Sequence, residues 1–195
     1  MIGIIDYDAG NIQSVINALD DYDIDYILSY KTEELEKCSK IILPGVGEAN
    51  YAMNKLKEKN LIEFIKNYKK PFIGICLGMQ LLCEYSEERE TECLGIIPTS
   101  VVKFNSENVI VPQMGWNDVK QLSKDKLFAN IPDETSFYFA NSYYVPKNQY
   151  TVASCDYETE ISAIVKKDNF YGMQFHPEKS GKCGIKILEN FIKLC

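Results

Sequence analysis

The sequence contains only one histidine, His176, among its 195 residues. Structural zinc sites combine closely spaced cysteines, often with two histidines. The seven cysteines include no Cys-x-x-Cys pair, and a single histidine cannot complete the usual ligand sets. The cysteines are also odd in number and irregularly spaced, which indicates thiols kept reduced in a cytoplasm. The sequence therefore disfavours a zinc site and a disulfide framework.

Long apolar runs, basic clusters and nucleotide-binding motifs are missing as well. No apolar run approaches the roughly 20 residues of a membrane-spanning helix, and the first residues lack the basic start and cleavage site of a signal peptide. The net charge is −7 without a basic cluster, which disfavours nucleic acid and anionic membranes as main partners. Neither Gly-x-x-x-x-Gly-Lys nor a complete Gly-x-Gly-x-x-Gly occurs, which disfavours phosphate-loop and dinucleotide-binding folds.

The composition that remains is ordinary for one folded domain, with 46% apolar and 25% charged residues. In the first half, short apolar runs at residues 2–7, 25–29, 40–44 and 72–75 alternate with segments of helical spacing. Because strands that alternate with helices form parallel sheets, this pattern predicts an α/β fold with a mostly parallel central sheet flanked by helices.

The second half of the chain has a different pattern. Its β-rich runs are short and close together, at residues 101–104, 109–111, 136–139, 151–154, 161–165 and 170–175. Such runs predict an additional antiparallel portion in the C-terminal half. Residues 184–194 have the apolar spacing of a closing amphipathic helix. We expect one domain over residues 1–195.

Cys76 lies in the pattern Gly-x-Cys-x-Gly, between an apolar run and a predicted helix. Most cysteines are buried structural thiols, and this pattern alone is only moderately specific. The flanking glycines nevertheless permit a sharp strand-to-helix turn that projects the sulfur outward. The N-terminus of the following helix favours the thiolate, so we interpret Cys76 as a nucleophile.

His176 is followed by Pro177 and Glu178. An isolated histidine is more often a surface or structural residue, and an isolated glutamate is more often solvated. Here Pro177 disfavours a helix at His176, and residues two apart in an extended segment point to the same side. A cysteine, a histidine and a carboxylate are the parts of a nucleophilic triad, in which the histidine moves the proton and the carboxylate orients it.

The turn after the third predicted strand has the sequence Pro-Gly-Val-Gly at residues 44–47. On its own, this segment is simply a turn. Beside a nucleophilic cysteine, the backbone N–H groups of Val46 and Gly47, with that of Leu77, could stabilise the oxyanion of a tetrahedral intermediate. The oxyanion interpretation therefore depends on the Cys76 motif.

Together these residues resemble the class I (triad) glutamine amidotransferases. Further segments narrow the resemblance to the HisH family, the glutaminase subunits of imidazole glycerol phosphate synthase, and the match spans essentially the whole chain. The matching segments are Asp-Tyr-x-Ala-Gly-Asn at 6–11, Pro-Gly-Val-Gly at 44–47, Gly-Ile-Cys-Leu-Gly-Met-Gln-Leu-Leu at 74–82, Met-Gly-Trp-Asn at 114–117, Ser-Tyr-Tyr at 142–144 and His-Pro-Glu-Lys-Ser at 176–180.

The resemblance implies a flavodoxin-like fold, no metal and no cofactor, and a role for each matching position. Cys76 matches the residue that forms a γ-glutamyl thioester, His176 the acid-base and Glu178 the residue that orients it. The positions that match glutamine-binding residues are Gln80, Glu88, Ser142 and Tyr143. The positions that match the face toward a partner subunit are Asn11, Trp116, Tyr138 and Lys179.

HisH-family subunits hydrolyse glutamine to glutamate and ammonia, and they pass the ammonia to a (β/α)8-barrel cyclase, HisF, within a heterodimer. The resemblance thus implies a cytoplasmic glutaminase subunit of histidine biosynthesis. Because ammonia in water is mostly protonated and non-nucleophilic, an enclosed path delivers its reactive form.

The sequence departs from the family at three positions. Asp8 stands where the family usually has glycine, and Gln113 and Asn141 stand where it often has histidine. The last two lie near the implied partner face. A HisH-like ammonia donor for a nucleotide-sugar or surface-glycan enzyme is therefore the alternative. A non-enzymatic subunit and a thiol peptidase are further alternatives, which the intact triad and the segments at 44–47 and 114–117 disfavour.

Overall fold

The computed structural model describes residues 1–8, 12–20 and 24–195. In chain order the strands are β1 (Ile2–Ile5), β2 (Tyr26–Ser29), β3 (Lys40–Leu43), β4 (Phe72–Ile75), β5 (Cys83–Ser86), β6 (Thr91–Glu92), β7 (Ile97–Lys103), β8 (Gln113–Gln121), β9 (Thr135–Asn141), β10 (Tyr143–Tyr144), β11 (Thr151–Asp156), β12 (Glu160–Lys167) and β13 (Phe170–Met173). The helices are α1 (Ile12–Asp20), α2 (Thr32–Leu35), α3 (Ala49–Glu58), α4 (Leu61–Asn67), α5 (Leu77–Leu81) and α6 (Gly181–Leu194). None of these helices is long and apolar enough to cross a membrane.

A nine-stranded sheet with the order β2-β1-β3-β4-β13-β12-β11-β8-β9 forms the centre of the fold. The first five strands in this order run parallel to one another. The remaining strands pair antiparallel. The predicted α/β fold, with a mostly parallel sheet and an antiparallel C-terminal portion, is confirmed.

The parallel part of the sheet is buried on both faces. Neighbouring residues of β3 point in opposite directions, so Ile42 packs into the core with α1 and α6, whereas Ile41 packs into the core with α2 to α5. This burial explains why the parallel strands are almost continuous apolar runs in the sequence.

A smaller sheet, with the order β10-β7-β5-β6, lies beside the main one. Residues 84–92 are rich in glutamate, and in the sequence they resemble a solvated loop. In the structure this segment supplies most of β5, a 3-10 turn at Glu88–Glu90 and β6. The register brings Ser86 opposite Thr91 and turns the chain sharply between them, so the small sheet fixes the position of Glu88.

In the C-terminal half, one strand prediction was wrong and one long strand was not predicted. Residues 109–111 form no strand. Val109 and Val111 pack against the core, while Ile110 is 82% exposed. This irregular connection therefore alternates between buried and exposed side chains as a strand does, but it makes no strand pairing. Conversely, β8 is nine residues long but was not predicted. Its sequence, Gln-Met-Gly-Trp-Asn-Asp-Val-Lys-Gln, is mostly polar because much of the strand is solvent-exposed.

Candidate active site

Three neighbouring parallel strands end at the same edge of the sheet, and each leads into a predicted site segment. β3 leads into residues 44–47, β4 into Cys76, and β13 into the segment that contains His176. β4 lies between the other two and pairs with both. Because ligands of open α/β sheets bind outside the carboxyl ends of the strands, the topology brings these segments into one site.

Cys76 has a strained backbone between β4 and α5, with φ 53° and ψ −110°. Residues other than glycine are uncommon at such positive φ values, which cost free energy and cluster at functional sites. The Cys76 N–H donates to the Met173 carbonyl over 2.8 Å and holds the turn against β13. Any side chain at Gly78 would overlap the Leu43 carbonyl, so glycine allows α5 to approach β3 closely.

His176 and Glu178 form a buried pair, with 2.8 Å between Nδ1 of the ring and Oε1 of the carboxylate. Their side chains are 5% and 3% exposed. Burial disfavours the charged imidazolium, but hydrogen bonds and charge interactions with Cys76 and Glu178 outweigh it and raise the pKa of His176 from 6.5 to about 10. Because Nδ1 is engaged by Glu178, Nε2 is the ring nitrogen left for the Cys76 sulfur.

The route by which Glu178 reaches His176 differs from the predicted one. His176 is extended, with φ −95° and ψ 98°, but Pro177–Lys179 form a 3-10 turn. The turn, and not a continued extended chain, carries the carboxylate back to the ring. The second carboxylate oxygen, Oε2, is buried and has no hydrogen-bond partner among the described residues. The His176 ring is thus the main partner of a buried charge, which stabilises the imidazolium.

The backbone of His176 is attached to β9. Its N–H donates to the Tyr138 carbonyl over 2.8 Å. The Ser180 hydroxyl donates to the His176 carbonyl over 2.6 Å and accepts from the Tyr138 N–H over 2.9 Å. These three hydrogen bonds connect the antiparallel strand directly to the histidine segment.

Several other cysteines lie in apolar surroundings that disfavour the thiolate. Burial raises the pKa of Cys93 and of Cys155 to about 12, and it raises the pKa of Cys83 further still. A thiol with such a raised pKa is a poor nucleophile near neutral pH. Cys76 differs from them in facing a cleft and a histidine.

A cleft of about 310 Å³ opens above the sulfur of Cys76. This volume is near the lower end of the range for small-molecule pockets, about 300–1,000 Å³. Besides the triad residues Cys76 and His176, its lining comprises Val46, Gly47, Leu77, Gln80, Glu88, Pro112, Met114, Ala140, Asn141, Ser142, Tyr143 and Lys179. All residues predicted for the oxyanion and for glutamine therefore lie around one cavity. Met114, from the matching segment at 114–117, also lines it, together with Pro112 and Ala140, which no sequence motif indicates.

Two side chains of the cleft lining, the carboxyl of Glu88 and the amide of Gln80, are held in place by hydrogen bonds. Glu88 accepts the Ala49 N–H at Oε2 over 2.7 Å, and burial raises the pKa of this carboxyl. Gln80 uses its Nε2 to donate to the Tyr143 carbonyl and to Oε1 of Gln174, each over 3.0 Å. An amide nitrogen has only two hydrogens, so Gln80 can offer a ligand only its Oε1.

The loop at residues 44–47 is anchored at one end and exposed at the other. The Tyr7 hydroxyl donates to the Pro44 carbonyl over 2.8 Å. Val46, in contrast, is 39% exposed, and Gly47 has φ +100° with open space around its Cα. The Leu77 N–H, predicted to bind an oxyanion, donates here to the Gly45 carbonyl over 3.3 Å. In this conformation that donor is occupied.

Three of the residues predicted for the partner face form one surface beside the cleft. Trp116 and Tyr138 lie opposite each other on β8 and β9, with ring centroids 6.2 Å apart. The Lys179 ammonium lies 5.9 Å from the Tyr138 ring centroid. Trp116 is 59% exposed and Met114 is 67% exposed. We call Met114, Trp116, Tyr138 and Lys179 the rim surface; Asn11 lies outside the described residues.

The described part of the chain holds no group of three or more His, Cys, Asp or Glu side chains that could bind a metal ion. The lining of the cleft includes the Cys76 sulfur beside the His176 ring, and such groups can act as a nucleophile and an acid-base.

The family described as glutamine amidotransferase class-I matches residues 3–194. The chain belongs to this family. Among curated relatives of this amidotransferase, a Methanocaldococcus jannaschii protein named imidazole glycerol phosphate synthase subunit HisH is 48% identical over 197 residues, covering 100% of both chains. A Bacteroides fragilis protein of the same name is 45% identical over 195 residues, covering 99% of both. A Legionella pneumophila protein named imidazole glycerol phosphate synthase subunit HisH 2 is 43% identical over 195 residues, covering 100% of this chain and 98% of that protein.

Solved structures show the same fold. The amidotransferase superposes on a crystal structure described as glutamine amidotransferase with a TM-score of 0.74, at 17% identity, covering 99% of this chain and 97% of the other. The crystal structure of a glutamine amidotransferase from Thermotoga maritima gives a TM-score of 0.62 at 20% identity, and the match covers 98% of this chain and 81% of the other. At such identities the likeness supports the fold alone, whereas the full-length relatives above place the amidotransferase in the HisH family.

Proposed function

We propose that this amidotransferase is the glutaminase subunit of an imidazole glycerol phosphate synthase, which hydrolyses L-glutamine and passes the ammonia to a (β/α)8-barrel partner. The observation that carries the chemistry is the buried His176–Glu178 pair at 2.8 Å, beside the strained Cys76 at the floor of a small cleft. The full-length HisH relatives support the pathway.

In the first half of the reaction, the Cys76 thiolate attacks the side-chain carbonyl carbon of glutamine. A carbon–sulfur bond forms, and the carbonyl π electrons move to the oxygen. When the tetrahedral intermediate collapses, His176 donates its proton to the departing nitrogen, and ammonia and a γ-glutamyl thioester result. The raised pKa of His176 suits this step, because the ring carries the proton before the reaction begins.

In the second half, His176 is neutral and accepts a proton from a water molecule that attacks the thioester. The carbon–sulfur bond breaks, glutamate leaves, and the thiolate–imidazolium pair forms again. Glu178 holds Nδ1 throughout and stabilises the imidazolium each time it forms, while Nε2 exchanges the proton.

The lining of the cleft suits the amino-acid end of glutamine. Glu88 provides a carboxylate for the α-ammonium group, and Gln80 contributes its free Oε1 as another acceptor. Ser142 and Tyr143 also line the cleft and provide backbone and hydroxyl groups for the α-carboxylate. Two acceptors near the ammonium would select an α-amino acid over a simple amide.

The rim surface is where we place the barrel partner. Exposed Trp116 and Met114 provide apolar contact area, and aromatic residues in such positions often dominate binding free energies. Lys179 lines the cleft and also lies against Tyr138, so a partner on this surface would cover the mouth through which ammonia leaves. The backbone hydrogen bond from the His176 N–H to the Tyr138 carbonyl connects that surface to the acid-base residue.

Partner binding also offers a switch for the oxyanion donors. The Leu77 N–H must leave the Gly45 carbonyl before it can bind an oxyanion, and the exposed Val46–Gly47 end of the loop can turn at low steric cost. One well-placed oxyanion donor is worth roughly 10²–10³-fold in turnover. A partner that reorients this loop would therefore raise glutaminase activity by about that factor.

The test is the glutaminase rate of the chain alone, with the HisF-type cyclase subunit, and with that subunit plus its nucleotide substrate. We expect a rise at each step, and no glutamate release from Cys76→Ala under the same conditions. Full activity of the isolated chain would contradict the switch. Absence of glutamine hydrolysis under all three conditions would contradict the proposed function itself.

A second candidate is an ammonia donor for a nucleotide-sugar or surface-glycan amidation enzyme. Gln113 and Asn141, which replace frequent family histidines, lie opposite each other on β8 and β9. Both are buried, and each has an amide oxygen without a hydrogen-bond partner in the described structure. Stimulation by a sugar-modifying enzyme, and not by the cyclase, would favour this alternative.

A further inference from the structure

Gln174 is a fully buried amide that reaches the nucleophile. Its Nε2 lies 3.7 Å from the Cys76 sulfur, within donor distance. The sheet register places it there: Met173 of β13 pairs with Ile75 of β4, so the next residues of the two parallel strands, Gln174 and Cys76, lie side by side. The chemistry proposed above assigns no role to Gln174.

Gln80 fixes the direction of the Gln174 amide. The Gln80 Nε2 donates to Oε1 of Gln174 over 3.0 Å. Because a carbonyl oxygen can only accept, Oε1 has to face Gln80, and the NH₂ end then has to face the sulfur. The second hydrogen of the Gln80 amide goes to the Tyr143 carbonyl over 3.0 Å, which holds Gln80 in turn.

We propose that Gln174 is a positioning residue for the nucleophile: its amide N–H donates to the Cys76 thiolate and directs the sulfur into the cleft, while Gln80 holds the amide in the donating orientation. This inference deepens the proposed glutaminase function and rests on it. An anionic sulfur gains more from an N–H donor than a neutral thiol does, so the bond favours the reactive form. Because Gln174 is fully buried, no water competes for its amide N–H.

The same bonds connect the substrate wall to the nucleophile. Tyr143 lines the cleft, its carbonyl holds Gln80, Gln80 orients Gln174, and Gln174 donates to Cys76. A substrate that displaces Tyr143 would therefore also act on the sulfur. A purely structural Gln174 would fill space between β13 and α5 without any effect on how the sulfur reacts.

The experiment measures the rate at which iodoacetamide alkylates Cys76 as a function of pH, in the full chain without glutamine. Mass spectrometry of the Cys76 peptide separates this thiol from the other six. Gln174→Met removes the amide at similar volume. We expect the pH midpoint of Cys76 alkylation to rise by about one unit, and kcat for glutamine to fall about ten-fold with a smaller change in KM.

Gln80→Met provides a second variant, because it leaves the Gln174 amide in place but frees its orientation. We expect an upward shift of the midpoint here too, and no further shift in the double variant, since both act through one bond. Asn190→Leu is the control: Asn190 is 2% exposed and donates to the Leu127 and Ala129 carbonyls, and none of these residues lines the cleft. Its loss should lower stability and leave the midpoint unchanged.

A folded Gln174→Met protein with the wild-type alkylation profile would overturn the proposal. If that variant does not fold, an unchanged profile in Gln80→Met would overturn it equally, and so would fully additive shifts in the double variant. Because alkylation is measured without glutamine, a shifted midpoint together with an inactive wild-type glutaminase would contradict the proposed function and leave the role of Gln174 standing.

Discussion

The two halves of the central sheet differ in where they expose functional groups. In the parallel half, β1 and β4 are buried along their whole length, and Cys76 and His176, the proposed catalytic residues, lie beyond the carboxyl ends of β4 and β13. In the antiparallel half, β8 alternates in exposure and displays Met114 and Trp116 along the strand itself. We interpret the first half as the site of bond making and the second as the site of partner binding.

The difference shows what each task requires of the chain. A nucleophile needs a rigid position, which Cys76 obtains from a strained turn packed against β3 and β13. A docking surface needs exposed apolar area, which an antiparallel edge can provide while its other face remains in the core. The hydrogen bonds of Ser180 and Tyr138 to the His176 segment join the two halves.

The largest expected effect comes from removing the nucleophile, which should eliminate catalysis and leave partner binding intact. Cys76→Ala should abolish glutamine hydrolysis, because no covalent intermediate can form. Binding to the cyclase, measured by titration calorimetry, should stay within a few-fold of wild type, and ammonia-dependent synthesis by the complex should persist. Residual hydrolysis near the wild-type rate, or loss of partner binding, would break the division of labour.

The next effect ranks the members of the triad. His176→Asn should lower kcat by roughly 10⁴-fold, the scale seen when triad members are removed from serine proteases, because no group then moves the proton. Glu178→Gln should cost less, since the amide oxygen can still accept from Nδ1. Steady-state glutaminase assays with the cyclase present measure both. A more severe defect in Glu178→Gln would contradict the assigned roles.

A smaller effect concerns the rim surface. Trp116→Ala should weaken cyclase binding by about 2–4 kcal/mol, because an exposed tryptophan on a docking surface is a frequent hot spot. Hydrolysis by the isolated chain should not change. Tyr51→Ala, which removes an aromatic ring that is 49% exposed on α3, is the matched control. Equal affinity losses in the two variants would argue against this docking surface.

The smallest effect is on stability as a function of pH. The pKa of His176 is raised from 6.5 in the unfolded chain to about 10 by its partners, so its interactions stabilise the fold fully below pH 6.5. This contribution is lost as pH rises toward 10. In denaturant titrations, the free energy of unfolding of the wild type should therefore exceed that of Glu178→Gln by about 1–2 kcal/mol near pH 6.5. The difference should become progressively smaller up to pH 10. A constant difference over that range would show that the pair does not titrate as described.

The sequence predicted the parallel half better than the antiparallel half, for physical reasons. Strands buried on both faces are continuous apolar runs, so β4 was predicted to the residue. β8 was not predicted, because an exposed strand has many polar residues and lacks that signal. The cysteine, the histidine and the glutamate have a local pattern, whereas the contacts of Gln174 with Gln80 and Cys76 depend on strand register, which the local sequence does not reveal.

The central claim is that covalent chemistry occurs at Cys76 and at no other thiol, and a glutamine-analogue electrophile tests it most directly. The wild-type chain with its cyclase partner would be incubated with 6-diazo-5-oxo-L-norleucine near neutral pH, and the modified cysteine would be identified by peptide mass spectrometry. We predict a single adduct on Cys76, lost when glutamine is in excess and strongly reduced in His176→Asn. An adduct on Cys83, Cys93 or Cys155, or no protection by glutamine, would contradict the account.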